Sequence, residues 1–99
     1  MKTKLYDFYS DPGHGWLKVP RTEIEKLGIA HQVSTCSFKN GNFVYLEEDC
    51  DAPLFIKAQE AKGIEVKFKE YSTNKSSKIR SYPSFTDHLT SFIDHICNP

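Results

Sequence analysis

Apolar and polar positions recur with two different periods along this chain, and the changes of period divide it into eight segments. Lys4 to Tyr9 is aromatic and nearly alternating, the pattern of a strand buried on one face. Asp11-Pro12-Gly13 then signals a turn. Trp16 to Val19 makes a second short strand. Pro20 suits the first turn of a helix, where its missing N–H costs nothing. Arg21 to Leu27 is that helix, with Ile24 and Leu27 inward and Gly28 as its stop.

Gln32 to Phe38 and Asn42 to Glu47 are β-prone runs flanking Lys39-Asn40-Gly41, which predicts a hairpin. Val44 and Leu46 share one face of it, Phe43 and Tyr45 the other. Asp51 is placed to cap the next helix, with Pro53 in the first turn. Leu54, Phe55, Ala58 and Ala61 form its buried stripe, and Gly63 ends it. Ile64, Val66 and Phe68 then alternate with Glu65, Lys67 and Lys69 in a half-buried strand. Ser72 to Ser81 is a polar, basic loop. Ser84 with Asp87 resembles a capping box, and Phe85, Leu89, Phe92, Ile93 and Ile96 make the stripe of a last helix. The order β-β-α-β-β-α-β-α predicts an α+β fold. Residues 1–99 form one small domain, with a mixed, mostly antiparallel sheet and helices packed on one face.

Composition narrows the class. Ninety-nine residues leave room for one core, and 13% aromatic residues give it much of its buried area. Thirteen basic residues balance thirteen acidic ones, which argues against a general nucleic-acid binder and against an acidic nucleic-acid mimic. The charge is unevenly spread. Glu47 to Glu60 holds five acids and one Lys, whereas Lys62 to Tyr82 holds six basic residues and two acids. Cys36, Cys50 and Cys97 have no zinc-motif spacing, so free thiols in a reducing cytoplasm are expected. There is no apolar signal core and no apolar run of membrane-spanning length.

Two segments carry candidate chemistry. Gly13-His14-Gly15-Trp16 combines glycines, which permit positive φ and close approach to the backbone, with an imidazole and a stacking face. Successive N–H groups there can form an anion-binding concavity; the alternative is a tight turn with a surface histidine and a core tryptophan. Lys75, Lys78, Arg80 and Tyr82 interleave cations with an aromatic ring, as recognition of a phosphate-bearing ligand requires, or else form a solvated loop. The acidic run from Glu47 to Asp51 lacks calcium-loop spacing and reads as a helix start. His88 and His95, seven apart, are too widely spaced for a metal pair on one helix. Of the cysteines, Cys50 is the better nucleophile candidate, because a helix N-terminus lowers a thiol pKa. Neither a metal nor a cofactor is expected.

At YSDPGHGWLKVP (Tyr9 to Pro20), FVYLEEDCDAPLFIKAQEAKGIEVKFKE (Phe43 to Glu70) and SKIRSYPSF (Ser77 to Phe85) the chain resembles a group of small proteins carried by bacteriophages, plasmids and other bacterial mobile elements. The resemblance runs from Tyr6 to Phe85 and leaves the last helix, from Thr86, outside. It brings no catalytic residues. What it implies is a setting, the cytoplasm of a bacterial host, where such proteins inhibit host defence. Three functions follow as expectations. The first is a non-enzymatic protein that sequesters a small anionic, nucleotide-like ligand such as an immune signal. Gly13, His14, Gly15, Trp16, Lys75, Lys78, Arg80 and Tyr82 would be its site, and self-association is expected of so small a ligand-binding domain. The second is a protein–protein inhibitor of a host defence enzyme. The third is a small phosphodiesterase or nuclease using His14, Arg80 and Tyr82.

Overall fold

The computed structural model describes residues 2–85. Its elements are β1 (Lys2–Ser10), β2 (Gly15–Pro20), α1 (Arg21–Leu27), β3 (Phe38–Asn40), β4 (Phe43–Glu47), α2 (Ala52–Ala61) and β5 (Ile64–Ser72), with 3-10 turns at Ala30–Gln32 and Lys78–Ser81. The five strands form one sheet in the order β3-β4-β2-β1-β5. Every neighbouring pair is antiparallel except β1 and β5, which run parallel. The fold is therefore the α+β domain with a mixed, mostly antiparallel sheet that the periodicity predicts. The last helix of that reading, with Asp87, His88, Leu89, Phe92, Ile93, His95, Ile96 and Cys97, lies outside the described residues. No described helix is long and apolar enough to cross a membrane.

Strand alternation decides where the core sits. Leu17 and Val19 of β2 stand directly opposite Leu46 and Val44 of β4, and all four are fully buried. Ile24 of α1 and Ala52 and Phe55 of α2 pack on them, so both helices cover the same face. Tyr6 meets Phe55 edge-on, with ring centroids 5.3 Å apart. Phe85 closes this core, and its N–H donates to the Ser37 carbonyl at 2.7 Å.

The buried stripe of α2 is Ala52, Phe55 and Gln59; Ala61 is exposed, unlike its place in the predicted stripe. Gln59 is tolerated inside because its amide is used. Gln59 Nε2 donates to Tyr6 Oη (2.8 Å) and to Glu23 Oε1 (3.1 Å), while Tyr6 Oη donates to Glu23 at 2.5 Å. Burial, and then the Glu23 carboxylate, push the Tyr6 phenol well above its ordinary pKa, so it remains a donor.

One predicted strand is mostly absent. Gln32 to Phe38 was expected to be extended, but β3 begins only at Phe38. Ser34 and Ser37 bond side chain to side chain instead of laddering. Asp51 accepts Ser34 N–H at 3.0 Å, Ser34 Oγ–H at 2.8 Å and the Ser37 hydroxyl. Asp51 thus occupies the position before α2 without capping it, contrary to expectation. The predicted hairpin is present. Gly41, at φ +62°, occupies the first position of its two-residue loop, where a side chain would be strained.

Candidate functional site

The helix-free face of the sheet carries a second, aromatic cluster. Trp16, Tyr45 and Ile79 are buried in it, with Tyr9, Phe38 and Tyr82 packed at its margin. Ile79 and Tyr82 come from the basic segment that follows β5, so this segment folds back over the sheet. It ends there at the turn between β1 and β2, and Asp11 ties the two together.

Asp11 accepts five hydrogen bonds. Its Oδ1 takes Gly13 N–H (2.9 Å), His14 N–H (3.0 Å) and Arg80 Nη2 (2.8 Å). Its Oδ2 takes Ser77 N–H (2.9 Å) and Arg80 Nε (2.6 Å). The Arg80 guanidinium, followed by the Ser77 N–H, holds the Asp11 carboxyl far below the usual carboxylate range. Asp11 in turn raises the pKa of Arg80. The N–H groups of Gly13 and His14, expected to form an anion-binding concavity, are thus taken up by the chain's own carboxylate.

The two glycines have reasons that differ from the expected ones. Neither has a positive φ. A Cβ on Gly13 would lie 2.7 Å from Arg80 Nη2, and one on Gly15 would lie 2.5 Å from Phe8 Cζ. Close approach is required, as expected, but by side chains of the same chain.

Beside this knot is a cavity of about 330 Å³ lined by His14, Trp16, Cys36, Phe38, Glu47, Asp49, Cys50 and Arg80. His14, Trp16 and Arg80 are thus brought together. Trp16 is only 1% exposed, with Arg80 over its ring at 5.3 Å, so its face is occupied by a cation. Its Nε1 is buried, and the structure supplies it no acceptor. His14 Nδ1 lies 3.2 Å from Glu47 Oε2. Glu47 Oε1 also accepts the N–H groups of Asp49 and Cys50 at 2.8 and 2.9 Å. Burial works to raise the Glu47 pKa, but these bonds with those from Cys50 and His14 outweigh it and lower it. The acidic run accordingly organises the start of α2. Cys50 departs from expectation: its thiol is pushed up to about 12 by its hydrogen bond to Cys36, by burial and by Glu47, so the helix start does not activate it.

Lys78 and Tyr82 lie elsewhere. With Tyr9, Lys18, Asn40, Tyr45, Ser77 and Ile79 they line a separate cavity of about 270 Å³ on the same face. The Tyr45 ring is 5.2 Å from Tyr82 and 6.4 Å from Tyr9. Burial first, then the neighbouring Tyr82 and Tyr9, push Tyr45 up to about 12, so its phenol stays protonated and able to donate. Lys18 Nζ is 4.2 Å from the Phe43 ring centroid. Asp7 stands across the ladder from Lys18 and, after burial, helps raise the pKa of Tyr9, but it is not in the lining. Depressions of similar volume beside Leu5 and Phe43, and between α2 and β5, include Asp7 and Glu23, or Glu48 and Glu70. Among these four depressions of the described residues, only the Lys18–Lys78 cavity has cations and no carboxylate in its walls.

Lys75 is exposed, and its backbone N–H donates to Thr73 Oγ1 at 3.2 Å. Lys18, Tyr9, Tyr45 and Asn40 were missed from the sequence, as was the role of Asp11. A signal for three of them was present: Tyr9, Lys18 and Tyr45 are the alternates of core residues on their strands, and an aromatic outward face is not a simple solvent face. No three His, Cys, Asp or Glu side chains among the described residues are grouped to hold a metal ion. Compared with known proteins, the chain matches no family model, no curated protein and no solved structure.

Proposed function

We propose that the protein is a non-enzymatic binding protein of the mobile-element type, acting in the cytoplasm of a bacterial host, that sequesters a small anionic, nucleotide-like ligand. The observation that carries this reading is the Lys18–Lys78 cavity, with two ammonium groups, three phenols and the Asn40 amide around one opening. The ammonium groups suit a phosphate, Tyr82 suits a base or other flat ring, and Asn40 and Ser77 suit its polar edge. The volume of about 270 Å³ lies just under the roughly 300 Å³ at which ligand pockets start, so one nucleotide unit fits better than two. The Gly13–His14 turn is a buttress in this reading, since Asp11 already occupies its donors.

Calorimetry against nucleoside monophosphates, ADP-ribose and cyclic dinucleotides tests the reading. Binding of at least one is expected, with Lys78→Ala weakening it about tenfold and added salt weakening it further. A folded protein that binds none of them overturns it. The protein-inhibitor reading is favoured by one observation, the exposure of Leu5 (64%) and Phe43 (38%) on the helix-free side. It predicts a stable complex with a host protein that Leu5→Glu abolishes, and no nucleotide binding. The phosphodiesterase set does not converge, because His14 and Arg80 line one cavity and Tyr82 the other.

A further inference from the structure

We propose that Cys36 and Cys50 form a reversible dithiol–disulfide site in the wall of the His14–Arg80 cavity. Both are free, exposed cysteines, and both line that cavity. Cys36 is the first cause of the raised pKa of Cys50, so the two side chains in that wall act on one another. The pairing has a structural cause. Cys36 lies between Ser34 and Ser37, Cys50 directly precedes Asp51, and the Asp51 carboxylate bonds both serines. Cys36 N–H is also held by Ser34 Oγ at 3.1 Å, and Cys50 N–H by Glu47 Oε1 at 2.9 Å. One carboxylate therefore pins the two backbone segments that bear the sulfurs. The chemistry open to two free thiols in one cavity wall is thiol–disulfide exchange.

The co-reactant is a low-molecular-weight disulfide. Cys50 keeps its proton, shared toward Cys36 and Glu47, so attack begins at Cys36. The Cys36 thiolate bonds to one sulfur of the small disulfide, its S–S bond breaks, and one small thiolate leaves. Cys50 then attacks the Cys36 sulfur, its proton passing to the small thiolate already released. The mixed disulfide breaks and a second small thiolate leaves. The two protons lost by the cysteines end on the two departing thiols. The protein dithiol is oxidised and the small disulfide is reduced to two thiols. The product ties the loop before β3 to the turn before α2, which fixes one wall of the cavity.

The test uses the full chain carrying Cys97→Ser, reduced and then exposed to oxidised glutathione. The expected product has lost two hydrogen atoms, gives a proteolytic fragment linking Cys36 to Cys50, and melts about 10 °C higher until a dithiol reductant is added. Cys50→Ser in the same background is expected to stop at a glutathione adduct on Cys36. Separate glutathione adducts on both cysteines, a bond between two chains, or an unmodified protein would each overturn the proposal.

Discussion

On the helix side of the sheet, β2 and β4 present Leu17, Val19, Val44 and Leu46, all fully buried. One residue away on the same strands, the other side presents Trp16, Lys18, Tyr45 and Glu47. The first set is aliphatic, and its packing has no preferred direction. The second is held by aimed contacts: Arg80 on Asp11, Arg80 over Trp16, Tyr82 beside Tyr45. Stability is concentrated on one face, and the placement of polar groups on the other.

The largest effect expected from this contrast belongs to the helix side. Phe55→Ala removes a fully buried ring at the centre of the core and should cost about 3–5 kcal/mol in a denaturant titration. A loss under about 1 kcal/mol would mean that the helix side is not where stability resides. Asp11→Asn should cost less, and its signature is in the pH dependence. The folded Asp11 carboxyl lies below its ordinary value of 3.8, so its contribution is complete above that pH and fades as the pH falls below it. Thermal melts of Asp11→Asn should therefore be flatter than those of the unaltered protein in acid, with the two curves drawing together as the pH falls. Parallel curves would remove Asp11 from its place at the centre of the knot. The smallest change in stability, about 1 kcal/mol, is expected for Tyr82→Ala, which loses a ring contact at the margin of the second cluster. The same variant should lose most nucleotide affinity in calorimetry. Full affinity would confine the polar face to a structural role.

The local elements were legible in the sequence for physical reasons. Alternation gives β1, β2 and β4, and Gly28 and Gly63 stop the two helices in the left-handed backbone that glycine allows. The segment from Gln32 to Ser37 was misread because Asp51, distant in sequence, captures its serines. The candidate site was half legible. His14, Trp16 and Arg80 do share a cavity, but the carboxylate that decides what they can bind is joined to Arg80 across 69 residues. Local spacing carries no information about such a contact. Nor does it reveal that Lys78 and Tyr82 join Tyr9, Lys18 and Tyr45, which requires the order of strands in the sheet.

The parallel pairing of β1 with β5 bears on how the chain is made. Lys2 finds its partner in Ile64, so during synthesis β1 keeps one edge open while β2, both helices and the intervening hairpin are made. Closing a loop of that length is entropically slow, and an unpaired edge is open to pairing with other chains meanwhile. A nascent chain released before β5 is complete is thus expected to be the aggregation-prone species, and β5 acts as the seal on β1.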